Sequence, residues 1–478
     1  MNLAIHATRI AYPRLVAESV RQAHFVGIAG AGMQALAEVM LERGWRLSGS
    51  DLAPEGAAWL SGAGVPVYAG HQADQVPANA RLVVHSDAVP ADNPERRRAT
   101  ELGLEQLSYP AALGRLMAGR TGLAIAGTHG KSTTTALAGE ILTVAGLKPT
   151  VLGGAAPLGR RSGGRHGTGE SVLVEACEYR ENFLHLAPRV VVLLGIEHDH
   201  FDCFPAFGEV EAAFARFVER LPRDGLVLAH AGCPATLRVV RQAGCRVATF
   251  GLGAAADWRA HRLRAARGRY AFEIVHRGRR VADVKPSIPG RHNAVNALAA
   301  AALAGELGVE GTAISRGLAQ FAGLRRRQET LGSWREIVLL DDYAHHPTEI
   351  SATLKTVRQR FPGRRIWCIF QPHQVSRTRA LLDEFAASLH NADRVAVADI
   401  YRAREAPGER AEVTAADLAA RLRMRGGHAL GVHRADQIIE QVGADLVPGD
   451  VLITLGAGDV RKVGDAFVER LRTYRAAG

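Results

Sequence analysis

Lysine is almost missing from this chain. Its 478 residues include five, Lys131, Lys148, Lys285, Lys355 and Lys462, although lysine and arginine together number 59. The formal charge of +11, set against 48 acidic residues, is therefore almost wholly arginine. Aromatic residues are also sparse, at 6%, and the arginines are scattered. Nucleic-acid surfaces want clustered cations interleaved with stacking rings, so no nucleic-acid partner is expected, and attraction for small polyanions, or simple compositional bias, is the better reading. No apolar run approaches the ~18 residues of a membrane span. The opening "MNLAIHATRIAYPRLVAESVRQ" has scattered charges and no small-residue cleavage pattern after an apolar core, which predicts no signal peptide. Cysteines are few and odd in number: Cys177, Cys203, Cys233, Cys245 and Cys368 stand at unrelated spacings. Reduced thiols and a cytoplasmic location are the expectation, and no cysteine pair has zinc-ligand spacing.

What the chain does have is the composition of a globular protein, 47% hydrophobic and 22% charged, at a length that calls for two to four domains. Short β-branched runs alternate with longer amphipathic segments throughout, the pattern of α/β domains on mostly parallel sheets. Strands are predicted at "HFVGI", "RLVVHS", "LAIAG", "SVLVEA", "RVVVLLG", "EIVLLDD", "RIWCIF", "RVAVAD" and "VLITLG". Nearly every one runs into a polar or Gly-rich stretch, where open α/β sheets bind their ligands. Three blocks follow, at residues 1–120, 121–325 and 326–478.

The stretch "GLAIAGTHGKSTTTALAG", residues 122–139, reads as a strand, a Gly-rich turn and a helix. Such a turn aims backbone N–H groups and a helix dipole at an anion. Lys131 would reach the outer phosphates of a nucleotide and the Ser132 hydroxyl a Mg²⁺ ion. The longer form of the motif wants glycine at 125, where this chain has Ile125. The plain alternative is a Gly turn capping a helix.

Other polar groups cluster after strands. Glu175 ends "SVLVE", where a buried carboxylate needs a partner or a metal; Asp199 and His200 follow the next strand, in a turn that is otherwise a solvated His-Asp-His bend. Hydroxyl, carboxylate and an occasional imidazole suit Mg²⁺. "GIAGAGM" lacks the frame of a dinucleotide fingerprint at Ala29, yet it resembles a turn for a diphosphate, with Asp51 placed for sugar hydroxyls; a structural turn is the alternative. Asn293 and Asn296 would share one helical face, as a binding pair or as a cap. "DDYAHHPTE" offers Asp341, Asp342, His345 and His346, and "FQPHQVSRTR" offers His373, Arg377 and Arg379, whose forks suit carboxylates and phosphates.

Taken together and in order, "HFVGIAGAGM", "SGSD", "NPE", "AGTHGKSTTT", "EACE", "DHFD", "GRHNAVNALAA", "DDYAHHPTE" and "FQPHQVSRTR" resemble the Mur ligases, the ATP-dependent amide-forming enzymes of peptidoglycan synthesis. The resemblance covers nearly the whole chain from His24 onward. Its last two motifs are the most specific, to the branch that joins L-alanine to UDP-N-acetylmuramate. That family uses a short loop, G-T-x-G-K-[ST], and needs no glycine at 125. The resemblance implies a Rossmann-like domain for the UDP-sugar, a central P-loop ATPase domain and a Rossmann-like domain for the amino acid. It implies ATP contacts at Gly127, Thr128, His129, Gly130, Lys131, Ser132, Thr133, Asn293, Asn296, Arg327 and Asp342. Ser132, Glu175 and His200 would hold Mg²⁺. Gly30, Ala31, Gly32, Met33, Ser50, Asp51 and Ser86 would meet the UDP-sugar. His345, Arg377 and Arg379 would serve the alanine end, and Lys131, Glu175, His200, Arg327 and His345 would be the catalytic set. Gly195, Gln328, Asp87 and Ala344 depart from residues usual in the family. A sister ligase that takes a tripeptide and a non-catalytic nucleotide-binding descendant are the alternatives. Later members carry a carbamylated lysine near the second metal; between His200 and Lys285 this chain has no lysine, as in the alanine-adding branch.

Overall fold

The central strands of this chain are aliphatic runs covered on both faces, which is why they read as continuous apolar stretches rather than alternating ones. Leu123, Ala124, Ile125 and Ala126 are all buried within one strand, and Val191, Val192 and Leu193 within its neighbour. The computed structural model describes residues 21–476 apart from 254, 404, 406–412, 432 and 433. Residues 1–20, which hold most of the segment read as lacking a signal peptide, lie outside the described residues.

Three sheets carry the molecule. The first holds β1 (Gln22–Val26), β2 (Arg46–Asp51), β3 (Val67–Ala69), β4 (Leu82–His85) and β5 (Glu105–Ser108). Their order is β3-β2-β1-β4-β5 with every pair parallel, so the chain reverses direction across the sheet beside β1. In such sheets the crevice at that reversal is where ligands bind. The second sheet holds β6 (Thr121–Ala126), β7 (Thr150–Leu152), β8 (Gly164–Arg165), β9 (Ser171–Glu175), β10 (Val190–Leu193), β11 (Leu226–His230), β12 (Arg246–Gly251), β13 (Trp258–Ala266), β14 (Arg269–His276) and β15 (Arg279–Val284). Its order is β15-β14-β13-β12-β11-β10-β6-β9-β7-β8, parallel through the middle and antiparallel at both ends. The third holds β16 (Glu329–Trp334), β17 (Ile337–Asp342), β18 (Ile366–Phe370), β19 (Arg394–Val397), β20 (Ala429–Gly431) and β21 (Val451–Leu455), in the order β16-β17-β21-β18-β19-β20 with only β16 antiparallel. The α/β architecture in three domains agrees with the sequence reading.

All nine strands named from the sequence are present. The antiparallel ribbon β13–β14–β15 went unread because its sequence, "WRAHRLRAA", "RYAFEIVH" and "RRVADV", spends arginines on an exposed face. An alternating strand with long charged side chains gives a far weaker apolar signal than a buried parallel one. Among the described residues no helix is long and apolar enough to cross a membrane.

Helix starts place the chemistry. The helix Lys131–Val144 begins directly after Gly130, whose φ of +84° is left-handed. The helix Pro347–Arg360 is capped by His346 and opens on Pro347, which has no N–H to leave unsatisfied. Both helices start at the carboxyl end of a central strand, β6 and β17 respectively.

Candidate active site

Ile125 explains the short phosphate loop. It has no exposed surface and pairs in register with Val192 of β10 and Glu175 of β9. Position 125 is therefore still strand core, and the turn begins two residues later at Gly127. A Cβ on Gly127 (φ +127°) would lie 2.7 Å from the Cβ of Leu194, and one on Gly130 would lie 2.5 Å from Asn296 Oδ1. Both positions exclude a side chain on backbone angle and on space.

The loop is tied to the turn after β10. Thr128 donates its N–H to Gly195 O at 2.8 Å, and Glu197 N–H donates to Thr128 Oγ1 at 2.9 Å. Gly195 serves here through its carbonyl, and nothing lies within 4 Å of where its Cβ would be. Asn293 and Asn296 do share one buried face: Asn296 Nδ2 donates to Asn293 Oδ1 at 3.1 Å, and Asn293 Nδ2 to Pro289 O at 2.6 Å. Asn296 thus lies against the Gly130 turn. Thr133 is buried in the first turn of the helix.

Lys131 folds back into its own loop. Its ammonium donates to Gly127 O (2.6 Å), Thr128 O (3.1 Å) and both oxygens of Glu178 (2.8 and 3.0 Å). Burial alone would lower the lysine pKa, but the Glu178 charge outweighs it and the pKa is raised. Glu178 is the mirror case: burial favours its protonated form, and Lys131 and His200 pull it below the ordinary carboxylate value. His200 Nε2 lies 3.6 Å from Glu178 Oε1. Glu178 was given no role by the sequence reading, although it is the second acid of the quoted "EACE"; its spacing of three from Glu175 was the available signal.

Ser132 Oγ donates to Glu175 Oε1 at 3.0 Å, and Gly154 N–H holds Oε2 at 2.6 Å. A hydroxyl and a half-exposed carboxylate, side by side at a helix start, are a donor set that fits Mg²⁺. His200 stands with Glu178 and Lys131, and its ring is 5.1 Å from that of Tyr179.

The third domain reaches across to this loop. His129 Nδ1 lies 3.2 Å from Glu349 Oε1, and Thr348 Oγ1 donates to Glu197 Oε2 at 2.6 Å. Burial opposes charge on His129, but Glu349 and Glu197 overcome it and push its pKa up to about 10. Arg377, buried, places Nε and Nη2 on Asp199 Oδ1 at 2.9 and 2.8 Å, and Nη1 on His373 Nδ1 at 3.0 Å. Its whole fork is committed. Arg379, two positions along the same short helix and so on its other side, is exposed. His345 is neutral: burial pushes its pKa down to about 4, and Nδ1 lies 3.1 Å from Tyr343 O. Arg327 stacks over Tyr343 at 5.1 Å and comes within 3.9 Å of Glu349. Asp342 accepts from Gln328 N–H (2.9 Å) and Ala344 N–H (2.8 Å), and burial raises its pKa to about 6. His198 contacts Phe204 O at 2.9 Å, and Asp341 is paired with Thr454 Oγ1 at 2.6 Å.

In the first domain the helix Ala31–Glu42 starts at Gly30, with Met33 buried, and Gly32 packs where a Cβ would meet the Tyr109 ring at 2.6 Å. Asp51 staples the loop, accepting Ala29 N–H (2.8 Å) and Ala53 N–H (3.0 Å). Ser86 Oγ accepts Ala88 N–H at 3.3 Å. Ser50 is fully buried: its hydroxyl donates to Glu95 Oε2 at 2.6 Å and lies 2.9 Å from His71 Nδ1. It is held inside the protein, under the crevice.

A Gly-rich strand-to-helix turn, a carboxylate–hydroxyl pair beside it and a third domain in contact with that turn are the arrangement of a nucleotide-dependent enzyme of three α/β domains. Residues 22–121 match the profile described as Mur ligase family, catalytic domain, residues 125–304 the Mur ligase middle domain, and residues 326–458 the Mur ligase, glutamate ligase domain. The chain belongs to the Mur ligase family. Among its relatives, the UDP-N-acetylmuramate–L-alanine ligase of Salinibacter ruber is 40% identical over 457 residues, 95% of each chain. That of Geobacter sp. is 38% identical over 95% of this chain and 99% of its own. The crystal structure of the UDP-N-acetylmuramate-alanine ligase of Thermotoga maritima superposes with a TM-score of 0.80 at 27% identity, covering 96% of this chain and 100% of that one. The murein peptide ligase of Psychrobacter arcticus shares the fold, with a TM-score of 0.71 at 24% identity.

Proposed function

We propose that this protein joins L-alanine to the lactyl carboxylate of UDP-N-acetylmuramate, with ATP converted to ADP and phosphate, in the making of peptidoglycan precursors. The observation that carries the reading is identity of 40% over 95% of both chains to an enzyme of that name. The alanine-branch motifs also lie where the third domain meets the phosphate loop. The UDP-sugar is assigned to residues 1–120, ATP to 121–325 and alanine to 326–478.

A carboxylate is a poor electrophile. Its oxygen attacks the γ-phosphorus of ATP, ADP leaves, and the acyl phosphate is then attacked by the alanine amine with expulsion of phosphate. Two anions must meet in the first step, so cationic groups dominate the catalysis. Lys131 supplies one charge from the loop, where incoming phosphates compete with Glu178 for its ammonium. Arg327 supplies another from the segment just before β16. Ser132 and Glu175 would hold Mg²⁺, with His200 beside them through Glu178; the ion, when bound, neutralises phosphate charge. The Gly130 turn and Asn293–Asn296 shape the nucleotide side, and Asp342 closes it from the third domain. His345, with Nδ1–H turned to Tyr343 O, presents Nε2 as an acceptor for the alanine amine. Arg377 positions Asp199 and His373, and Arg379 offers a solvent-facing guanidinium to a carboxylate. Gly30, Ala31, Gly32, Met33, Asp51 and Ser86 form the lip of the UDP-sugar crevice, with Ser50 beneath. Chemistry on soluble precursors suits a cytoplasmic enzyme.

Phosphate release with Mg²⁺, ATP and UDP-N-acetylmuramate tests the reading. Release that requires L-alanine supports it. Release only with L-alanyl-γ-D-glutamyl-diaminopimelate would transfer the protein to the tripeptide branch, and none with any acceptor would end the ligase reading.

A further inference from the structure

His129 was read as a nucleotide contact, and Glu197 was left without a role. His346 was named beside His345 but given no role of its own. The fold brings the three together from two sheets: His129 from the turn after β6, Glu197 from the turn after β10, and His346 from the loop after β17. One ligating atom of each lies within 4.8 Å of the others. His129 Nε2 is 3.5 Å from Glu197 Oε2, and His346 Nδ1 is 3.7 Å from the same oxygen. Ligand atoms around a tetrahedral ion with bonds of about 2.1 Å stand about 3.4 Å apart, so these separations are close to those of a formed site.

The surroundings orient the three groups as outer partners of a metal centre do. Glu349 Oε1, 3.2 Å from His129 Nδ1, holds a proton on that nitrogen, so Nε2, which faces Glu197, is the nitrogen that gives up its proton to take a metal. That Nε2 is buried and has no hydrogen-bond partner. Thr348 Oγ1 donates to Glu197 Oε2 at 2.6 Å and sets the carboxylate's direction. His346 is 6% exposed; its Nδ1, which faces Glu197, receives the long 3.4 Å N–H contact of Thr348 at the helix start, a contact that a metal would displace. The Glu197 side chain is 40% exposed, which leaves one side open to water or a further ligand. Two imidazoles and one carboxylate suit zinc-type ions; Mg²⁺ prefers oxygen and its own waters.

We propose that His129, Glu197 and His346 form a binding site for a divalent first-row transition ion, placed between the phosphate loop and the third domain and sharing no ligand with Ser132 and Glu175. Because its ligands come from both domains, an ion there holds the third domain onto the loop, and it is retained only while the two are closed together.

The probe is Co²⁺ alone, without nucleotide, titrated into the full-length metal-stripped protein. One equivalent should bind with visible d–d bands of a four- or five-coordinate site; Zn²⁺ should displace it, and millimolar Mg²⁺ should not. Glu197→Gln and His346→Gln should each weaken binding at least 100-fold, and Glu349→Gln about 10–100-fold. Glu175→Gln should leave it unchanged. No stoichiometric binding, bands that persist in both His346→Gln and Glu197→Gln, or bands lost in Glu175→Gln would each overturn the proposal. Should the variants fail to fold, X-ray absorption of the wild-type Zn²⁺ form decides alone: two imidazole shells support the site, and one or none refutes it.

Discussion

Lys131 and Glu178 show how one residue's chemistry depends on what the fold puts beside it. Lysine is rare here, and this one is held by two carbonyls and a buried carboxylate. Replacing it with alanine should lower alanine-dependent phosphate release by at least about 10²–10³-fold, with the far-UV circular dichroism unchanged; wild-type turnover would remove it from the mechanism. Glu178→Gln has a different expected outcome. It leaves a buried ammonium without its counter-charge, a loss on the order of 3–5 kcal/mol. The phosphates of MgATP supply the missing anion, so the melting-temperature gap to wild type should narrow when MgATP is added. A gap that MgATP does not change would mean that Lys131 does not meet the nucleotide.

At the scale of elements, the phosphate loop is a strand end and a helix start joined by a turn with no room for side chains. The motif comparison at residue 125 makes a sharp case. Ile125→Gly would restore the longer consensus, yet Ile125 is wholly buried in β6. Deleting that side chain should cost roughly 2–5 kcal/mol for the cavity, with about 1 kcal/mol more for glycine within a strand, read as a lower urea midpoint with no gain in ATP affinity. These elements were legible because apolar runs ending in Gly-rich or His-rich turns are a local pattern. The ribbon β13–β15 was not legible, because its exposed face is arginine and its pairing is decided by neighbours in space. Arg377 and Arg379 were equivalent in the sequence, and about half a helical turn separates them into a buried fork and an exposed one.

For the whole molecule, burial of histidines sets a pH dependence. His292 and His345 are pushed down to about 4 and His373 to about 3, each first by burial. Their unfolded value is near 6.5, so below that pH the unfolded chain takes protons the folded chain refuses, and stability falls as pH drops toward 4. Asp342 works in the opposite sense: raised to about 6, it takes its proton in the folded state first and adds stability between pH 6 and 4. Three groups outweigh one. Each unmatched proton is worth about 1.4 kcal/mol per pH unit, so the melting temperature should fall steadily from pH 6.5 to 4.5. A flat profile over that range would show that these imidazoles are open to water in solution.

The sequence by itself determined the α/β class, the three-block order, the strand-to-loop positions of the chemistry and the family. All of these rest on local patterns: apolar periodicity, glycine where the backbone must turn left-handed, and motifs a few residues long. Only the tertiary structure decided which loops face one another. It set Glu178 on Lys131, buried Ser50 against Glu95, committed Arg377 to Asp199 and drew His129, Glu197 and His346 to one point. His129 and His346 are 217 positions apart in the chain, and their meeting depends on how the third sheet packs over the second. Burial, charge pairing and metal-ligand distance are properties of that packing, and no local stretch of sequence carries them.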